Sequence, residues 1–289
     1  MSTPAEHHDM VTASALRQWP LPQPGGSKYS RGRVLVVGGS PSTPGAVMLG
    51  GLAALRVGAG VLALAVARTV AAPVAAAVPE ASVTGLPSLD GSTDADDVED
   101  ALGRTRAVLV GPGIDNPDSA QRLLQRVVDD VGDSTAVGID AFALGVVGRI
   151  KGIDKIAGRC LFTPNSVEAA HILDVEDVGD RDASDVAAEI ADRFGAVVSF
   201  HSHIAAPDGR RWIVPTGHPG LGTSGSGDVL AGAAAGLLAR GADPAQAACW
   251  ATYLHATAGD RLAARVGRLG FLARELVDEL PLVIVETEA

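Results

Sequence analysis

Lysine, cysteine and positive charge are all in short supply in this chain, and each shortage removes a class of function. The only lysines are Lys28, Lys151 and Lys155. None closes a glycine-rich loop as Gly-Lys-Ser/Thr, so a P-loop is excluded. The two cysteines, Cys160 and Cys249, are far apart and outside any Cys-x-x-Cys spacing. Neither a disulfide framework nor a zinc knuckle is indicated, and a reducing cytoplasm is the simplest setting. The balance of 34 acidic against 23 basic side chains leaves a net charge of −11. That disfavours generic attraction to nucleic acid or to anionic membrane, so any phosphate must be held by local geometry. Met1 to Asp9 carries no basic segment followed by an apolar stretch, and no secretory signal is expected. Arg56 and several glycines interrupt the apolar region from Gly45 to Ala67, which makes a poor membrane span and reads as a buried helix followed by a strand.

What the chain does have is length and apolar content: 289 residues, 47% hydrophobic, enough for a large core in one α/β domain or two small ones. The pattern favours one domain over residues 31–289, preceded by a polar, proline-containing arm over residues 1–30. Short aliphatic runs at Val34 to Val37, Val61 to Val66, Ala107 to Val110, Ala136 to Ile139 and Ala196 to Phe200 read as buried strands. Helical stretches at Ala46 to Val57, Ser119 to Val131, Val167 to Leu173 and Ser184 to Phe194 are long enough to cross a sheet and return parallel to it. Ile204 to Ala206, the turn Pro207-Asp208-Gly209 and Trp212 to Val214 read as a hairpin at one edge. Helices dominate from Val229 to Leu280. The expected architecture is a mainly parallel sheet covered by helices on both faces, without internal repeats.

In such sheets ligands sit beyond the carboxyl ends of the strands. Three glycine-rich segments are candidates: Gly38-Gly39-Ser40, Gly111-Pro112-Gly113, and the run from Pro215 to Gly232 that contains Gly222-Thr223-Ser224-Gly225-Ser226-Gly227-Asp228. Missing Cβ atoms let consecutive N–H groups turn toward one point, and a helix starting near Asp228 adds its positive end there. An anion is expected at that point. A carboxylate beside it suits a base that accepts a proton from a hydroxyl attacking phosphorus; the plainer alternative is that Asp228 caps its helix. Gly58-Ala59-Gly60 mimics a dinucleotide fingerprint but precedes a strand instead of following one. Ser224 and Ser226 do not sit in Gly-x-Ser-x-Gly, so a hydrolase elbow is not expected.

Taken together, Lys28 to Ser40, Gly45-Ala46, Ala53 to Gly60, Val78 to Ala81, Val110 to Gly113, Ile139-Asp140-Ala141, Thr163-Pro164-Asn165, the Asp228 turn and His255 to Asp260 resemble the ADP/ATP-dependent NAD(P)H-hydrate dehydratases of the ribokinase-like superfamily. The likeness covers almost the whole chain. It implies a lyase, an ADP-dependent (S)-NAD(P)H-hydrate dehydratase using ADP or ATP and Mg2+. Such enzymes phosphorylate the added hydroxyl of hydrated NADH or NADPH and eliminate phosphate. It also implies Asp228 as base, Gly225 and Gly227 as anion hole with Ser226 between them in the nucleotide-binding turn, and Gly227 as an adenine-nucleotide contact. Ala46, Gly113, Asn165 and Asp228 would contact the hydrated nucleotide. Asp140 is carried forward as a water or magnesium contact, and no residue as a metal ligand proper. A homo-oligomer is expected, with epimerisation of the hydrate left to a separate protein.

Each assignment has a plainer reading: Ala46 packs a helix, Gly113 turns the chain, and Asn165, ahead of Ser166 and Glu168, caps the following helix. The chain departs from the family in having Asn165 where histidine is usual, Ser166-Val167-Glu168 in place of Pro-Gly-Glu, and Phe142 after Asp140-Ala141. It also has Ser199-Phe200-His201-Ser202-His203 where a nucleotide-binding Lys-Gly segment is usual. His201 and His203, as alternate residues of a strand, would share a face but have no third metal ligand, so a structural role is expected. His218 reads as a polar loop residue, and His7 and His8 as part of a disordered end. Two alternatives stay open on the residues: a small-molecule kinase using the same turn, and a non-catalytic nucleotide-binding protein.

Overall fold

Aliphatic runs one strand long, joined by helices rich in small residues, can bury both faces of a sheet only if helices cover both. The computed structural model describes residues 8–23, 25–91 and 98–289. Its strands are β1 (Asp9–Met10), β2 (Arg33–Val37), β3 (Val61–Ala67), β4 (Ala81–Leu86), β5 (Ala107–Val110), β6 (Ala136–Ile139), β7 (Cys160–Phe162), β8 (Val197–Phe200), β9 (His203–Ala205) and β10 (Arg211–Ile213). They form one sheet in the order β1-β10-β9-β8-β7-β6-β5-β2-β3-β4. From β4 to β8 every pairing is parallel; β9 and β10 then run antiparallel as an edge hairpin.

Alternate residues of each central strand enter opposite cores, as the period of two requires. Val34, Val36, Leu62 and Leu64 pack under α2 (Gly45–Arg56), α8 (Ser226–Arg240), α9 (Pro244–Arg265) and α10 (Ala273–Glu288). Leu35, Val37, Ala63 and Ala65 pack under α5 (Pro117–Asp130), a 3-10 segment (Ala141–Arg149), α6 (Ser166–Leu173) and α7 (Ala183–Phe194). The expected strands and crossover helices match within a few residues. The sequence reading missed β4 and β7. β4 is an edge strand whose exposure alternates and which carries Gly85, and β7 is three residues long. Gly85 near the end of β4 and the three-residue length of β7 weaken the signal that marks a strand.

The amino-terminal segment is more ordered than an arm. Val11, Leu16 and Leu21 are buried, α1 (Ala13–Gln18) is capped by Thr12, and β1 adds to the sheet edge beside β10. Trp19 stacks on Trp212 with ring centroids 6.1 Å apart, and the Trp250 indole N–H donates to the Trp19 carbonyl at 2.9 Å. His8 also belongs to this ordered part, its Nε2 lying 2.7 Å from Ser184 Oγ. Residues 1–7, His7 among them, and Pro24 lie outside the described residues.

Two features of this frame build a ligand site. After β2 the chain goes on to β3 and β4 on one side, whereas β5 returns to the other side of β2, so the loops leaving β2 and β5 diverge at a switch point. α2 and α8 then cross at backbone contact. A Cβ on Gly232 would stand 2.1 Å from the Gly50 carbonyl oxygen, and one on Gly236 2.5 Å from that of Ala54. Gly232→Ala should therefore destabilise the protein by about 2 kcal/mol in urea unfolding, the overlap outweighing a helix-propensity gain of about 1 kcal/mol.

Candidate active site

The loops leaving β2 and β5 are zipped together. The Gly39 N–H donates to the Pro112 carbonyl and the Ser40 N–H to the Gly113 carbonyl, both at 2.8 Å, and the Asp115 N–H donates to Ser40 Oγ at 3.2 Å. Gly113 has φ +67°, and a Cβ there would meet the Thr43 carbonyl oxygen at 2.4 Å, so the junction requires glycine. The zipped loops and the start of α2 form one wall of a cleft of about 430 Å³, and the start of α8 forms the other. Thr43, Ala46, Gly113, Gly225 and Asp228 all line it. Ala46, Gly113, Gly225 and Asp228, singled out from separate parts of the sequence, thus meet in one cavity.

The entrance to α8 has the form expected of an anion site. Gly225 is the N-cap with φ +88°, and no side chain caps the helix, which rules out the plain capping role for Asp228. The Ser226 N–H donates to the Thr223 carbonyl at 3.2 Å. The N–H groups of Gly225, Gly227 and Asp228 have no acceptor among the described residues. Gly227 is exposed, and a Cβ there would have no atom within 4 Å. The fold does not need its missing side chain, whereas a close-approaching ligand would. Ser226 differs from its neighbours: its hydroxyl is buried and lies 2.8 Å from His255 Nε2. Burial pushes His255 down to about 4, so the pair is a neutral brace beneath the turn. The Gly217 N–H donates to Asp260 at 3.1 Å and tethers the start of the same loop to α9.

Electrostatically the site is an excess of carboxylates. Burial first, and the charge of Glu168 second, push Asp228 up to about 6. Asp140, 5% exposed, is raised well above the usual carboxylate range by burial and then by Glu168, against the hydrogen bond that Thr163 Oγ1 donates at 2.8 Å. Glu168 is itself raised by burial, although it accepts the Asn165 N–H at 2.9 Å. Asn165 returns the bond, its Oδ1 accepting from the Glu168 N–H at 3.0 Å. This is the capping box that the sequence allowed, and Asn165 also lines a neighbouring cavity of about 330 Å³ together with Phe142 and Glu168. The electrostatic role of Glu168 was invisible in sequence, because its spacing signals only a cap.

His201 and His218 play no such part. His201 is not in a strand with His203: it lies in the β8–β9 turn with φ +54° and its Nε2 is 3.1 Å from Ser166 Oγ. His218 Nδ1 accepts from the Gly220 N–H at 3.0 Å. Among the described residues no cluster of three His, Cys, Asp or Glu side chains could hold a metal ion.

The charge excess has a measurable consequence. A carboxyl whose folded pKa is raised binds its proton more tightly in the native state, so its unfavourable term is absent at low pH and complete once the pH exceeds the folded value. Asp228→Asn should therefore stabilise the fold by about 2 kcal/mol at pH 8 and by nearly nothing at pH 4, as read from urea midpoints at the two pH values.

Comparison with known proteins places this geometry. Residues 34–282 match the family model described as NAD(P)H-hydrate dehydratase. The ADP-dependent (S)-NAD(P)H-hydrate dehydratase of Xanthomonas campestris is 43% identical over 94% of both chains. The ADP/ATP-dependent NAD(P)H-hydrate dehydratase of Bacillus subtilis, co-crystallised with ATP and Mg2+, superposes with a TM-score of 0.80 at 28% identity, covering 98% of this chain and all of that one. A ribokinase-like superfamily protein of Enterococcus faecalis, 22% identical, shares the fold over 99% of both chains with a TM-score of 0.84. The chain spans about half the length of the bifunctional NAD(P)H-hydrate repair enzymes that it also matches. A ribokinase-like sheet, a glycine-opened helix entrance and a half-buried aspartate in one cleft agree with these matches: the chain belongs to the NAD(P)H-hydrate dehydratase family.

Proposed function

We propose that the protein is an ADP-dependent (S)-NAD(P)H-hydrate dehydratase that returns hydrated NADH and NADPH to their active forms. The observation that carries this reading is the cleft between α2 and α8, where unbonded helix-entrance N–H groups face the same space as Asp228. In this reading Gly225 and Gly227 hold the transferring phosphoryl group through their N–H groups and the positive end of α8. Asp228 accepts the proton of the added hydroxyl as its oxygen bonds to phosphorus and the bond to the nucleotide leaving group breaks. The C–O bond of the phosphorylated hydrate then breaks, phosphate leaves, a proton is lost from the neighbouring carbon, and the dihydropyridine double bond is restored. Ala46 and Gly113 shape the wall against which the hydrated ring lies, and Asn165, with its amide N–H groups free, reaches the same ligand from the adjoining cavity.

Magnesium usually binds through one or two carboxylates, several waters and substrate phosphates. The hard oxygen donors Asp140 and Asp228, both burdened by excess negative charge, fit an ion that arrives with the nucleotide. Bound there, it would screen charge on the phosphoryl group. Names of the relatives favour the dehydratase over a small-molecule kinase with a stable phosphorylated product. Cys160 and Cys249 are free and buried, in keeping with a reducing cytoplasm, and no described helix is long and apolar enough to cross a membrane. Assembly as a homo-oligomer is part of the same proposal.

Incubation with hydrated NADH or NADPH, Mg2+ and ADP or ATP should restore reduced-nicotinamide absorbance with one phosphate released per turnover; a stable phosphorylated product without recovery would indicate the kinase. Asp228→Ala should lower kcat about 10³-fold while ADP binding persists in calorimetry. Because Asp228 must be ionised to act, kcat/KM should fall as the pH drops through about 6. Gly227→Ala should keep the wild-type melting temperature yet raise KM for ADP about tenfold, since the added methyl displaces only the ligand.

A further inference from the structure

Of the residues lining the cavity beside Asn165, only Asn165 itself takes part in the chemistry above. The cavity holds about 330 Å³ and lies between the 3-10 segment Ala141–Arg149 and α6. At the low end of the size range for ligand pockets, it suits half of a dinucleotide. Its walls are largely apolar and open, with Phe142 47% and Val167 65% exposed. Its charge is graded along its length. Ala141, which follows Asp140, and Asn165 and Glu168 stand at the end nearest Asp228. Arg149 is eight residues beyond Ala141, roughly 16 Å at the 3-10 rise, and His171 is six residues beyond Asn165, about 9 Å along α6. Arg149 makes no hydrogen bond or ion pair with any described residue, in a chain of net charge −11.

From this arrangement we infer that the cavity is the subsite for the adenylate half of the hydrated dinucleotide, with the adenine against Phe142 and Val167 and Arg149 reading the ribose phosphate that separates NADPH from NADH. This rests on the proposed dehydratase activity. With the hydrated ring at Asp228, this cavity is open to the other half of the dinucleotide, and Arg149 stands at its far end. Base–aromatic stacking supplies affinity for either substrate, whereas a guanidinium–phosphate contact is specific to the phosphorylated one. Asn165 marks the junction between the two halves.

Two experiments on the full chain separate this subsite from the catalytic reading. In steady-state kinetics with saturating ADP, Arg149→Ala should raise KM for hydrated NADPH about tenfold more than KM for hydrated NADH. Phe142→Ala should raise both together, and neither variant should change kcat or KM for ADP. Equal KM values in wild type and variants, or an effect confined to ADP, would overturn the inference. Independently of turnover, calorimetry with adenosine 2′,5′-bisphosphate, the nucleotide site being filled by a non-hydrolysable ATP analogue, should show binding that weakens about tenfold in Arg149→Ala. Binding of 5′-AMP should weaken in Phe142→Ala but not in Arg149→Ala. Absence of bisphosphate binding, or binding indifferent to both substitutions, would sink the subsite. Binding as expected without recovery of absorbance would keep it and reject the dehydratase reading.

Discussion

The contact between α2 and α8, backbone against backbone at Gly50, Gly232 and Gly236, is the constraint on which the site depends. Ordinary side chains at these positions would hold the two helices further apart, at the usual spacing of packed helices. Glycine lets the start of α8 come within reach of the loops leaving β2 and β5. Unbonded N–H groups, the switch-point wall and Asp228 therefore share one cleft. The turn is fixed from behind as well, by the buried Ser226–His255 pair and by Asp260 holding Gly217. The N–H groups of Gly225, Gly227 and Asp228 have no acceptor among the described residues, while Ser226 and Gly217 behind them are bonded, an arrangement that keeps the turn preorganised.

The carboxylate cluster shows what this arrangement costs the fold. Asp140, Glu168 and Asp228 are all raised by burial, and Glu168 raises both of the others. Without a bound cation the three work against one another. Asp228, pushed to about 6, stays mostly ionised at neutral pH and is a stronger base than a solvated aspartate. One environment thus accounts for the stability penalty and for the reactivity.

Much of the frame was legible in the chain because its signals are local. Aliphatic runs of four to seven residues in β2, β3, β5, β6 and β8 stand out from their surroundings, and so do the amphipathic α5 and α7. β4 escaped because it is an edge strand without a continuous aliphatic run and carries Gly85, and β7 because three residues are too few to show a period. The amino-terminal segment was read as an arm because its prolines conceal Val11, Leu16 and Leu21, whose burial depends on a partner surface two hundred residues away. In the site, Asp228, Gly225, Gly227, Ala46 and Gly113 came from glycine placement and family likeness. Ser226 was grouped with them, yet its hydroxyl turns inward to His255.

The sequence by itself determined the α/β class, the glycine-opened turn before Asp228 and the absence of any lysine-based phosphate loop, since each follows from residue type and short spacing. Only the tertiary structure decided that Asp228 does not cap its helix, that burial with the charge of Glu168 raises two distant aspartates, and that Phe142, Arg149 and Asn165 line one cavity. Burial and Coulomb coupling act through space, and groups sixty residues apart along the chain, such as Glu168 and Asp228, become neighbours only once the chain has folded.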